Sequence, residues 1–337
     1  MPPLTNLSHR KPTSCQPAKP KSKPKVRLSK TLQSFDRGGV PRRPQDDILK
    51  SMRIASLQPS ITITLAALKK LDALCACTKY CLEALPELAA QNPHILHDSW
   101  TANTDEILAT KPDLILASVP YRMESLAAIL KSGLPVLTLA PHSLADVYKD
   151  IRLIAAVVDA QPQAESLITE MQSTIASTRQ RSERRTQTPT VYCEEWGKPL
   201  IHSQSWVAEL VEAAGGHYIG TPGAHTTAED IAATDPDVLL FAWCGAGNRV
   251  PLDRVIAQRN WQSLKAVRER RVFCIPDQYL NTPAHTLLQG IACIAATTHP
   301  DLHPPHPDLI QLGELQITAA EASSDPDLSP ASAWSPK

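Results

Sequence analysis

Eight cysteines, at positions 15, 75, 77, 81, 193, 244, 274 and 293, have the widest chemical repertoire in this 337-residue chain. Zinc and iron–sulfur sites recruit thiolates through paired C-x-x-C spacings, and none is present. Cys75 and Cys77 stand two apart in a strand-like run, so their side chains share one face and read as small buried hydrophobes; Cys81 follows in a loop. Cys193, Cys244 and Cys274 each fall at or near the C-terminal end of a strand-like run, where α/β sheets place their ligand crevice. There the three thiols either pack against neighbours or together hold a soft metal, as in a thiol-metal or redox protein. His94 and His97 have an H-x-x-H spacing, but Pro93 and the loop composition oppose the helix that would align them. His285 follows Asn281-Thr282-Pro283 and opens a helix, a place from which an imidazole either meets a ligand or caps the helix.

Other catalytic signatures are missing. The chain has no G-x-x-x-x-G-K-[ST] or G-x-G-x-x-G phosphate loop, and Gly245-Ala246-Gly247 lacks the third glycine. It also has no G-x-S-x-G elbow and no H-E-x-x-H helix. The expectation is therefore a protein that is not an enzyme and carries no intrinsic cofactor. Aromatic residues are only 4% of the chain, yet Tyr80, Trp100, Tyr121, Trp196, Trp206, Trp243 and Tyr279 all fall at proposed strand ends or loops. Together they would line a cleft for a large, flat, partly apolar ligand.

The elements that must position these residues follow an α/β rhythm. Strand-like runs at 53–57, 73–77, 114–117 and 136–139, then at 191–193, 238–242 and 272–275, alternate with stretches of helical period. A long helical pattern at 143–187 separates the two sets, and Pro162 would kink or restart it. The phrases EILATKPDLIL (106–116) and EDIAATDPDVLL (229–240) echo one another. Each ends a helix at a Pro-Asp turn before a buried strand. The predicted architecture is two lobes, 52–142 and 188–300, joined by that helix.

Residues 1–51 carry 12 basic and 3 acidic side chains, and residues 301–337 carry 1 and 6. Both ends are Pro-rich and lack hydrophobic periodicity, so they read as disordered. The head contains no apolar export signal, which favours a cytoplasmic location, and Met52 stands where the first ordered residue is expected. A body with 42% apolar and 20% charged residues and no apolar run near 18 residues predicts no membrane span. A nucleic-acid partner is not expected, and the chain is read as a monomer.

The phrases RIASLQPSIT, LCACTKYC, DEILATKPDLILAS and LKSGLPVLTLAP resemble the first lobe of the helical-backbone substrate-binding proteins of ABC importers for vitamin B12, haem and iron-siderophores. VYCEEWGKPLIHSQSWVAELVEAAGG, AEDIAATDPDVLLFAWCG and YLNTPAHTLLQGIACIAATTHP are similar to the second lobe. The likeness spans about residues 52 to 300 and is nearest to cobalamin-binding members. It implies two Rossmann-like lobes joined by a rigid helix, a ligand between them and an ABC permease as partner. By matching phrase it places Gln58, Pro59, Ser60, Tyr80, Cys81, Trp100 and Tyr121 on one side of the ligand. Glu195, Trp196, Trp206, Trp243, Tyr279, Asn281 and His285 face them. Thr286 stands where relatives often carry arginine, which argues against an anionic siderophore and for a neutral corrinoid; haem or a ferric siderophore is the alternative cargo.

Overall fold

The computed structural model describes residues 52–97, 103–118 and 123–313. The expectations for residues 1–51 and 314–337, and for Trp100 and Tyr121, lie outside the described residues.

The first half runs β1 (Ile54–Ser56), α1 (Pro59–Ala67), β2 (Leu74–Thr78), α2 (Lys79–Ala84), β3 (His94–Leu96), α3 (Thr104–Ala109), β4 (Leu114–Ser118), α4 (Met123–Lys131) and β5 (Val136–Leu139). All five strands are parallel, in the order β3-β2-β1-β4-β5. Parallel strands are covered on both faces, and the pleat sorts their side chains accordingly. Ile54 and Leu116 enter one apolar cluster, while Ala55, Ile115 and Ala117 enter another behind the sheet; on β2 a bulge after Leu74 breaks the alternation, so Leu74 joins the first cluster and Ala76 the second. Two expectations are corrected here. His94 sits in an edge strand rather than a loop, and Cys81 lies within α2.

The connection restarts at its proline. Helix α5 (Leu144–Val157) begins where the Ser143 hydroxyl accepts the Asp146 amide at 3.1 Å. It ends before Asp159, which adopts a left-handed φ of 51°. Helix α6 (Gln161–Ser182) then places Pro162 in its first turn, where the missing N–H has no helical partner to lose. Helix α5 packs back on α1, whereas α6 packs on two helices of the second half.

That half contains β6 (Thr190–Gly197), β7 (Leu200–His202), α7 (Ser205–Ala213), β8 (His217–Tyr218), β9 (His225–Thr226), α8 (Ala228–Thr234), β10 (Val238–Phe241), α9 (Leu252–Gln258), α10 (Lys265–Arg268), β11 (Val272–Cys274), α11 (Leu287–Thr298) and β12 (Ile310–Gln311). Its mixed sheet has the order β12-β11-β10-β6-β7-β9, with β8 beside the start of β6. The echoed phrases do the same structural work in both halves. Asp113 Oδ2 accepts the Arg53 amide at 2.7 Å and Asp237 Oδ2 accepts the Thr190 amide at 2.8 Å, so each aspartate satisfies the N–H that opens the neighbouring first strand.

One buried cluster continues from Ile54 and Leu116 through Ile151 of α5 and Met171 of α6 to Val207, Leu240 and Leu287. Each such side chain contributes roughly 1.5–3 kcal/mol by leaving water, and the shared core ties both sheets to the connecting helices. The expected boundary at residue 300 is also corrected. The chain stays ordered through Gly313, because β12 adds an antiparallel edge to β11 and His303 is buried against Ser182. Among the described residues no helix is long and apolar enough to cross a membrane.

Candidate functional site

In open α/β sheets a ligand sits outside the carboxyl ends of the strands, where the strand order reverses. In the first sheet that point lies between β1 and β4, and in the second between β6 and β10. The first edge carries Gln58, Pro59 and Ser60 after β1 and Ser118 at the end of β4. Pro59 opens α1 at its first position, and Gln58 takes the extended conformation that precedes the helix. A small crevice with room for about one water molecule lies at this edge. Ser60, Thr64, Ser118 and Asp150 line it together with Pro283 from the second half. The segment between β11 and α11 therefore reaches the first sheet's switch point, and the two halves meet there.

The second edge is a hydrogen-bonded chain. Gln204 Nε2 donates to Glu195 Oε2 at 2.7 Å, the Cys244 thiol lies 3.7 Å from Glu195 Oε1, and Asn281 Nδ2 donates to Cys244 Sγ at 3.3 Å and to the Ala242 carbonyl at 2.6 Å. The chain links the end of β6 with the loops that follow β7, β10 and β11. Asn281 Oδ1 and His285 Nδ1 are buried without a partner among the described residues. Burial pushes the Glu195 carboxyl up to about 7 against the opposing bonds from Gln204 and Cys244. Burial likewise raises the Cys244 thiol and lowers the His285 imidazole. Trp196 and Trp243 stand at the ends of β6 and β10; the Trp196 indole donates to the Lys198 carbonyl at 2.9 Å.

A buried ion pair that the sequence did not reveal fixes Trp243. Glu194 is fully buried, and Arg259 grips it with two bonds, Nη1 to Oε2 at 2.7 Å and Nη2 to Oε1 at 2.8 Å. Tyr192 Oη donates to Oε2 at 2.5 Å and Trp243 Nε1 to Oε1 at 2.7 Å. Gly197 leaves room for the indole, since a Cβ there would stand 2.4 Å from Trp243 Cζ2. The only prior signal was the pair of acids in CEEW, and strand alternation sends Glu194 inward and Glu195 to the edge.

Two expected residues, Cys81 and Trp206, are placed in the core instead. Cys81 is buried in the shared core, its sulfur 3.3 Å from Thr78 Oγ1. Trp206 is also core, with its indole donating to the Leu280 carbonyl at 2.8 Å. Tyr279 bonds its own chain, donating to Asp308 Oδ2 at 2.7 Å with its ring edge-on to His306. Tyr80 is half-buried on α2, with Lys79 Nζ 5.0 Å from its ring centre. The proposed trio of thiols does not assemble. Cys193 pairs in register with Leu240 and Cys274 with Phe241, and these consecutive residues point to opposite faces of the sheet. No group of three or more metal-ligating side chains occurs among the described residues.

The sequence matches the family described as periplasmic binding protein over residues 54–279. An uncharacterised ABC transporter substrate-binding lipoprotein of Bacillus subtilis (strain 168) is 22% identical over 211 residues, 59% of this chain and 66% of its own length. A vitamin B12-binding protein of Yersinia pestis (strain Pestoides F) is 28% identical over 216 residues, covering 61% and 73%. Among solved structures, a periplasmic haem-binding protein of Pseudomonas aeruginosa superposes with a TM-score of 0.68 at 17% identity, covering 77% of this chain and 97% of that one. The periplasmic vitamin B12-binding protein of Vibrio cholerae gives 0.60 at 20%, covering 74% and 97%. At these identities the superpositions establish the fold alone. The matches overturn the cytoplasmic expectation, since the family and both solved structures are periplasmic and the Bacillus relative is a lipoprotein.

Proposed function

The chain belongs to the periplasmic binding protein family, and on that premise we propose that it captures a corrinoid, cobalamin, and hands it to an ABC permease. The observation that carries this reading is the make-up of the two switch-point edges. Indoles and hydrogen-bonding groups stand there, and among the described residues no lysine, arginine or histidine lines the crevice where the halves meet. A neutral macrocycle with apolar faces and polar arms needs aromatic walls and hydrogen-bond partners rather than a cationic clamp. The relative that binds vitamin B12 and the substrate-binding lipoprotein support the same class.

Titration of the full chain with cyanocobalamin, read by calorimetry and by the corrinoid absorbance bands, tests the proposal. A 1:1 complex tighter than about 1 μM, roughly −8 kcal/mol, is expected. Absence of binding up to about 100 μM, roughly −5.5 kcal/mol, refutes it, and haemin titrated in parallel identifies a haem binder instead. Trp196→Ala should weaken the complex by about 1–3 kcal/mol; unchanged affinity with lowered stability would make Trp196 a packing residue.

A further inference from the structure

Cys77 and Cys81 bound the turn from β2 into α2, at the carboxyl edge of the first sheet. The bulge after Leu74 separates them from Cys75, which is passed over in the pairing with β1 and packs behind the sheet, its sulfur 3.9 Å from Thr110 Oγ1. Cys77 and Cys81 turn instead into the shared core, and each is 0% exposed. There the Cys77 thiol donates to the Cys81 sulfur, which also lies 3.3 Å from Thr78 Oγ1. The hydroxyl beside Cys77 in register, Ser56, is occupied by Thr62 Oγ1 at 2.8 Å and itself donates to the Gln58 carbonyl at 3.2 Å. The other thiols near strand ends have different neighbours. Cys193 lies 3.1 Å from Ser203 Oγ, and Cys244 is engaged by Glu195 and Asn281.

We infer that Cys77 and Cys81 join as a disulfide when the chain folds in an oxidising compartment, and that this bond pins the turn that carries Tyr80. The family is periplasmic, and the periplasm is such a compartment. The inference goes beyond the binding reading and holds whichever ligand is captured. Two sulfurs already in hydrogen-bond contact have a short way to close to the roughly 2.05 Å of an S–S bond. Burial keeps reagents from the folded pair, so the bond forms while the chain is still folding; only Thr78, Lys79 and Tyr80 separate the two residues, and their encounter is local. The Cys81 thiolate attacks one sulfur of a disulfide oxidant, R–S–S–R, and expels the first R–S⁻. Cys77, its proton lost to water, then attacks the Cys81 sulfur of that mixed disulfide and expels the second. Two thiols thus give up two electrons and two protons, one S–S bond forms, and the oxidant's own S–S bond is reduced to two R–SH. The closed ring encloses Tyr80 and replaces a thiol hydrogen bond in an apolar core by a covalent one.

The test is to unfold and reduce the full chain, refold it in a mixture of oxidised and reduced glutathione, alkylate the remaining thiols and weigh the product by mass spectrometry. The folded chain should have two cysteines fewer to alkylate than the eight of the reduced chain. Trypsin cuts after Lys79, so the bridge should appear as the peptide of residues 71–79 joined to the one that begins at Tyr80, and a reductant should release both. Cys75→Ser should keep the joined pair, because Cys75 stands behind the sheet, and Cys77→Ser should lose it. Eight alkylated cysteines in the folded wild type overturn the inference, as does a bridge between any other two cysteines. A joined pair that disappears in Cys75→Ser would make Cys75 the partner of Cys81 and overturn it equally. If Cys77→Ser fails to fold, the wild-type peptide map and Cys75→Ser decide the matter between them.

Discussion

Arg259 is the most informative residue to remove from the second half. Its guanidinium makes both bonds to Glu194, whose side chain is 0% exposed against 10% for the arginine. Its Cζ lies 4.8 Å from the Trp261 ring centre and 5.8 Å from that of Phe241. Arg259→Met keeps an apolar stem but leaves a carboxylate buried with only the Tyr192 hydroxyl and the Trp243 indole for company. Breaking a buried pair from one side costs about 3–5 kcal/mol. For a body of this size 1 kcal/mol corresponds to roughly 2–4 °C in Tm, so the melting temperature should fall by roughly 6–20 °C. The double variant Glu194→Gln with Arg259→Met should recover most of that loss, since no unpaired charge is left. Denaturant unfolding with unchanged slope gives the energies. A single-variant loss below about 1 kcal/mol, the range of an exposed pair, would refute the claim that this ion pair holds the edge together. So would a double variant no better than the single one.

Trp206→Phe should destabilise the fold by about 1–3 kcal/mol, because the buried Leu280 carbonyl loses its donor, while ligand affinity measured by calorimetry stays the same. Gly197→Ala should displace the Trp243 ring and weaken corrinoid binding several-fold; an unchanged affinity would show that this indole does not face the ligand. Glu195 ties stability to pH. Its folded pKa of about 7 lies above the ordinary 4.5, so between those values the folded state holds more protons than the unfolded one and stability falls as pH rises. The decline should total about 1–3 kcal/mol, level off above pH 7 and vanish in Glu195→Gln, as followed by denaturant unfolding from pH 4 to 8.

Features that depend on local chemistry can be read from the order of residues alone. Short apolar runs alternating with stretches of helical period specify α/β halves built on mostly parallel strands. The two Pro-Asp phrases fix equivalent turns, and Pro162 restarts the connecting helix where its missing N–H is harmless. Gln58, Ser60 and Glu195 are legible as residues at the carboxyl ends of strands, because that edge of a parallel sheet is set by topology. What a side chain faces across space was decided only by the tertiary structure. Trp206 and Trp243 both begin as indoles near strand ends, yet one closes the core against Leu280 and the other is held at the edge by Glu194. Cys193 and Cys274 look like partners until register puts them on opposite faces of one sheet. The short edge strands β3 and β12 carry almost no periodicity, so they form only because a longer strand presents its free backbone groups. Asp150 belongs to an ordinary amphipathic helix, and only the tertiary structure brings that helix together with Pro283 from the other half around one crevice.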